Sequence, residues 1–346
     1  MTIILKNKKL FSISRKEDII VENFTAMKKS FKFAQKSIFC ALLCLLCTSW
    51  GFYAHREINK MAVFTLPPEL MFFYKKHLDF ITEKAVSPDK RRYIISREAP
   101  KHYLDVEYYT DSILIKRPDW RQASVLYPQD SMQAHGMLPW NLIRLTYYLK
   151  EAFLQQDVKA ILKLSADMGH YTGDLHVPLH TTRNYNGQLT GQHGIHGLWE
   201  SRLPELYAAS RYDFYQGRAD YIQDIHKVVW DALTESRNAV DSVLMFERTI
   251  HNVFREDKIY SYEDRNGKTV LVYSAAYCEA YHKALHHMVE RRMRAAIKMT
   301  GDLWYTCWVN AGSPDLKLLG EPLLTEQEIK EDEKERLQDG VEGCVH

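Results

Sequence analysis

The chain has 346 residues, 46% hydrophobic and 26% charged, with a formal net charge of +2. That is an ordinary globular composition, enough for one large domain or two small ones. Without residues 1–49, which hold 9 basic and 3 acidic side chains, 37 basic groups would face 41 acidic ones for a charge of −4, so the electrostatic footprint of a dedicated duplex-DNA binder is absent.

Taken in chain order, residues 1–49 read as a targeting segment. Lys28, Lys29, Lys32 and Lys36 precede an apolar run from Ile38 to Cys47, and Thr48 and Ser49 follow. This is a basic n-region, an apolar h-region and a small residue at a cleavage point. The apolar run is too short to span a bilayer, which takes about 20 residues. Met27 opens a more conventional signal peptide than Met1, so residues 1–26 read as an upstream start carried into the coding sequence or as a disordered extension. The expectation is an exported protein, secreted or periplasmic, beginning at Trp50. Lipidation is not expected, because Leu43 precedes Cys44 and Leu46 precedes Cys47. Beyond the segment, Cys278, Cys307 and Cys344 allow at most one disulfide within the chain, so no disulfide framework holds the fold.

Residues 50–320 read as one all-α domain. Apolar spacing predicts helices over 55–64 and 69–84, separated by Pro67 and Pro68, a helix-start signal. Longer amphipathic helices follow over 138–155 and 157–175, then over 203–212, over 217–256 with a break, and over 275–300. Asn266-Gly267 within 258–274 is the one good hairpin signal. No repeat of solenoid length appears. Residues 321–346 form a charged tail, read as a solvated helix or a mobile segment.

The chemistry concentrates between His170 and Glu200. His170/Asp174 and His196/Glu200 are each a histidine followed four residues later by a carboxylate, and on a helix such a pair shares one face. Both side chains of a pair can then reach one metal ion. His180 lies between the pairs, and Pro178 can end the first helix. Metal sites need several ligands, and Asp89, in SPDKRR, and His102, in APKHYLDVE, could complete a site with His170. Trp50 and His55 sit at the proposed new N-terminus, where a freed α-amino group becomes a nitrogen ligand. His176 and His193 are not needed as ligands and read as supporting or packing residues. His135, Tyr103 and Tyr171 line a cleft or pack in the core. His282, His286 and His287 are expected on the exposed face of a helix.

In the order of these motifs, above all HYTGDLHVPLH, the chain resembles the superfamily of zinc-dependent phospholipases C and single-strand-specific zinc nucleases. The resemblance covers nearly all of residues 50–300. It implies an all-α fold holding three zinc ions. One ion would take Asp89, His102 and His170, a second His180, His196 and Glu200, and a third Trp50, His55 and Asp174, with Asp174 bridging. Imidazole and carboxylate ligands without thiolate suit zinc better than magnesium. Glu200 and the short His180–His196 interval look like the phospholipase branch. The wording around His102 and GDLHVPLH also suits the nucleases, whose fungal disulfides have no counterpart here. The implied function is a trinuclear-zinc phosphodiesterase, most like a phospholipase C, with Asp89 also orienting or deprotonating the attacking water. The alternatives are a single-strand nuclease or 3′-nucleotidase, and a non-catalytic zinc-binding protein. The implied partner is a phosphodiester, either a phospholipid head group or single-stranded nucleic acid, with transient contact to a membrane surface and no obligate protein partner.

Overall fold

The computed structural model describes residues 52–109, 112–265, 268–317 and 319–320. Trp50, the segment read as a targeting signal and residues 321–346 lie outside these. The described chain is mostly helical, as the apolar spacing predicts. Its helices are α1 (Phe52–Val63), α2 (Pro68–Lys76), α3 (Leu78–Glu83), α4 (Ser87–Arg91), α5 (Leu138–Gln155), α6 (Val158–Leu175), α7 (Leu203–Arg211), α8 (Ile225–Val253), α9 (Ala275–Ala284) and α10 (Met288–Asn310), with shorter turns between them. Strands β1 (Tyr260–Arg265) and β2 (Lys268–Tyr273) form the expected hairpin, antiparallel with Tyr260 opposite Tyr273 and Arg265 opposite Lys268.

The central helix is α6. Asp157 caps its start by accepting a hydrogen bond from the Ala160 amide at 3.0 Å, which satisfies one of the free donors of the first turn. Ile161, Leu162 and Ala166 are fully buried on its core side, and each large apolar side chain so buried contributes about 1.5–3 kcal/mol. Tyr74 of α2 stacks on Trp304 of α10 at 4.8 Å, and both brace α6 through Ser165. At the other end, Arg292 of α10 donates to the His176 carbonyl at 3.0 Å, and Ser236 of α8 donates to the Leu175 carbonyl at 2.5 Å. A cation and a hydroxyl therefore satisfy the last carbonyls of the helix that carries His170 and Asp174.

Two predicted helices are broken, and the 217–256 helix starts late, at Ile225, and then runs to Val253 without the expected break. The 69–84 helix divides at His77, which has left helical dihedrals, and after the break Ile81 is fully buried while its carbonyl accepts from Asn59 at 3.2 Å. Residues 217–224 are not helical. Their backbone amides bond to other elements instead, Ala219 to the Thr65 carbonyl at 2.7 Å and Ile222 to the Thr306 hydroxyl at 2.9 Å. The 275–300 helix is two helices, because His286 and His287 adopt left-handed dihedrals with φ of 47° and 60°. His282 is consequently buried against Tyr207 and Tyr212 rather than on an exposed face. The short helices Ile113–Lys116, Trp120–Leu126 and Gln129–His135 were not expected, being too short to show a periodic signal. Cys278 and Cys307 are buried and free.

Candidate metal centre

The histidines and carboxylates of the centre are delivered by several local devices. Helix α1 presents His55, α4 presents Asp89, and His102 follows the short turn Ala99–Lys101. His170 and Asp174 lie one turn apart on α6, and His180 lies in the turn Pro178–Thr181. His196 stands on a single helical turn that widens at once into a π turn, Leu198–Arg202, bearing Glu200. Such widened turns are rare overall and frequent at functional sites.

These side chains form three groups able to hold a metal ion: Asp89 with His102 and His170, His180 with His196 and Glu200, and His55 with His170 and Asp174. Within each group the ligand atoms lie within 4.8 Å of one another. The first two groups are the trios named from the sequence. In the third, His170 joins His55 and Asp174; Trp50, the remaining candidate, lies outside the described residues. Asp174 is the hub. Its Oδ2 lies 3.0 Å from His102 Nδ1 and 3.3 Å from His170 Nε2, while Oδ1 lies 3.4 Å from His55 Nε2 and 3.7 Å from His180 Nε2. Glu200 is a second link, with His55 Nε2 at 3.3 Å, His180 Nε2 at 3.5 Å and His196 Nε2 at 2.7 Å.

The donor chemistry fits cations. His170 Nδ1 lies 2.9 Å from the Ala85 carbonyl, which can only accept, so Nδ1 carries the proton. Burial pushes the His170 ring down to about 3, leaving a lone pair on Nε2. That lone pair points at Asp174 and at His102 Nδ1, 3.1 Å away. His196 repeats the arrangement, donating from Nδ1 to the Tyr185 carbonyl at 3.2 Å and turning Nε2 toward Glu200. Acceptors facing acceptors repel unless a proton or a metal ion lies between them.

In the metal-free protein, protons do part of that work. Burial opposes a charge on His55, but the Glu200 hydrogen bond and the Asp174 and Glu200 charges outweigh it and hold the ring at about 9. His180 is raised against the same burial penalty by Asp174 and Glu200. Burial also opposes ionisation of Asp174, yet the imidazoles of His170, His180 and His102 keep its carboxyl well below the usual range.

The close approach of α1 to α6 depends on Gly173. A Cβ there would lie 2.7 Å from His55 Nδ1 and 2.9 Å from its Cε1, and the His55 ring stacks on His170 at 4.1 Å. Gly173→Ala is expected to displace His55, cost about 1–3 kcal/mol of stability and weaken metal binding by about 10–100-fold. Equilibrium dialysis checks this, and wild-type affinity in the variant would contradict it.

Asp89 is held by the base of its own segment. Arg91 donates to Asp167 on α6 at 2.9 and 3.0 Å and to Glu98 at 2.9 Å. Glu98 also accepts from Lys101 and from the Tyr171 hydroxyl, which accounts for Tyr171 as a supporting residue. Burial would raise the Glu98 carboxyl, but the Lys101 and Tyr171 hydrogen bonds and the Arg91 charge lower it to about 2. Its contribution is therefore complete above the usual value of 4.5 and is lost as pH falls toward 2. Arg91→Met should destabilise the fold by about 2–4 kcal/mol, since it strands two buried carboxylates although Lys101 remains. Urea unfolding at neutral pH measures this; a loss below about 0.5 kcal/mol, within the usual range for a surface change, would refute it.

Of the other residues named from sequence, His176 is buried and donates to the Thr172 carbonyl at 2.8 Å, His193 is exposed, and His135 stacks on Tyr108 at 3.5 Å. Tyr103 is half-buried. Arg92 was not singled out from sequence, yet its Nη1 lies 3.5 Å from Asp89 Oδ1 with a side chain 38% exposed, which sets a cation at the mouth of the centre. Its position in DKRR, three residues after Asp89, was the only available signal. Neither models of known protein families nor the curated protein sequences give a match to this chain, and the case for a metal centre is carried by its donor geometry.

Proposed function

We propose that the chain is an exported zinc-dependent phosphodiesterase, of the phospholipase C kind, with three ions in the centre around Asp174. The observation that carries this reading is the sharing of ligands: Asp174 faces four imidazoles and Glu200 faces three. Shared ligands bring ions close together, as in two-metal hydrolytic sites with spacings of about 3.5–4 Å. His170 has one free lone pair and so serves one ion, which leaves Trp50 to complete the trio of His55 and Asp174; three protein ligands per ion leave positions open for water and substrate, whereas closed structural zinc sites use four.

Zinc bound there would supply hydroxide at neutral pH, by lowering the pKa of water to about 7, and would polarise the phosphoryl oxygens. The chain's own groups divide the remaining work. Asp89 keeps 20% of its side chain exposed, against 2% for Asp174 and 9% for Glu200, so it is the carboxylate able to orient or deprotonate an incoming water. Arg92 can pair with a non-bridging phosphate oxygen. Buried Asp174 and Glu200 serve as ligands and links.

The nuclease reading has one observation in its favour. Tyr185 is half exposed and its ring packs edge-on to His196 with centroids 6.1 Å apart, and a ring there could stack a base, an interaction worth about 1–3 kcal/mol per base. The deciding experiment is zinc analysis of protein beginning at Trp50, with parallel assays on phosphatidylcholine and single-stranded DNA. Release of a phosphorylated head group alone supports the proposal, and nucleotide release alone supports the nuclease. About three zincs with neither activity favours a zinc-holding protein, and protein that retains no zinc overturns all three readings.

A further inference from the structure

Immediately after α4, residues 92–97 form a run of six exposed residues. Tyr93 is 59% exposed, Ile94 86% and Ile95 45%. A single exposed isoleucine is ordinary; Tyr-Ile-Ile between Arg92 and Arg97 is a concentrated apolar tip with a cation on each side. The tip is held outward by its base. The Ile94 and Ile95 amides bond to the Arg91 carbonyl at 3.0 and 2.8 Å, and the Glu98 amide bonds to the Ile95 carbonyl at 2.9 Å. The Arg91 guanidinium is itself fixed to Glu98 and Asp167. The tip also adjoins the centre, because Arg92 reaches Asp89.

We infer that residues 92–97 are a docking tip that seats the metal centre on a phospholipid bilayer. Ile94 and Ile95 enter the acyl boundary, Tyr93 lies at the head-group level, and Arg97 meets lipid phosphates. No described helix is long and apolar enough to cross a membrane. Single-stranded nucleic acid fits the tip less well, since base stacking needs aromatic faces and the most exposed residue is aliphatic. This deepens the phospholipase reading and rests on it for its purpose, but docking can be measured without catalysis.

The test is co-sedimentation of protein beginning at Trp50 with phosphatidylcholine/phosphatidylglycerol vesicles in EDTA, comparing wild type with Ile94→Asp/Ile95→Asp and with the milder Ile94→Gln. Wild type should sediment with the vesicles. The double variant should partition at least about tenfold less, from the apolar area withdrawn, and the single variant should fall between. With metal restored, both variants should hydrolyse a small soluble phosphodiester at the wild-type rate, which establishes that they are folded. Equal partition of the three proteins, or no wild-type sedimentation, overturns the inference. So does loss of retention on single-stranded DNA in the double variant without vesicle binding by wild type. Vesicle binding by a protein inactive on every phosphodiester would remove the proposed function and leave the docking tip standing; activity on the soluble diester without vesicle binding would do the reverse.

Discussion

Asp174→Asn is expected to lose at least one bound metal ion and to lower phosphodiester hydrolysis by more than about 100-fold. The amide keeps the size of the carboxyl and removes its charge. Each Asp174 oxygen faces two imidazole nitrogens, so asparagine would turn N–H donors toward some of the lone pairs that should bind cations. Changes in residues that merely support metal ligands cost about 10–100-fold, and loss of a ligand shared between groups should exceed that. Atomic absorption, with hydrolysis of a chromogenic phosphodiester, measures both effects. Full metal content and a rate within a few-fold of wild type would sink the shared-ligand reading. His193→Ala is the matched control, because that side chain is exposed and outside the three groups.

The residues of the centre were legible in the sequence to the extent that local geometry specifies them. His170 and Asp174 are one helical turn apart, and α6 has enough apolar periodicity to identify itself. His180 follows the only proline in a position to stop that helix. His102 and Asp89 required more, since nothing local says that two loop residues meet α6. Their placement depends on Arg91 reaching Asp167, 76 positions away, while also holding Glu98, a pairing no local pattern announces. Gly173 was equally hidden. A glycine within a helical pattern usually lowers confidence in the helix, whereas here its missing Cβ is what admits His55.

The errors in helix extent share one cause. Periodicity predicts that a helix continues wherever apolar spacing continues, but tertiary partners decide where it stops. His77 interrupts one helix so that Ile81 and its carbonyl face α1. Residues 217–224 give their amides to Thr65, Asp302 and Thr306, and the left-handed pair His286-His287 turns α9 into α10. The π turn at 198–202 belongs to the same class, since its extra width shows only when Glu200 reaches both His196 and His55.

Metal removal should expose how much the centre depends on cations, and pH should give the effect its sign. In the metal-free protein the proton on His55 separates Asp174 from Glu200. The folded value, about 9, exceeds the usual 6.5, so this contribution is complete below pH 6.5 and is lost as pH rises through 9. The shift corresponds to on the order of 3 kcal/mol. Metal-free protein should therefore lose stability in the alkaline range, while protein loaded with zinc should not, because the ion replaces the proton. Binding must then expel protons at neutral pH, and zinc affinity should rise about tenfold per pH unit for each proton released, up to about pH 9. At a free zinc concentration of 1,000 times Kd, one occupied site adds about 4 kcal/mol, and several linked sites add more. Thermal unfolding at pH 7 and 10, with EDTA or zinc, and proton release in weak buffer read these effects. The same unfolding temperature with and without metal at both pH values, with no proton released, would mean that these histidines and carboxylates hold the fold together by pairing with one another.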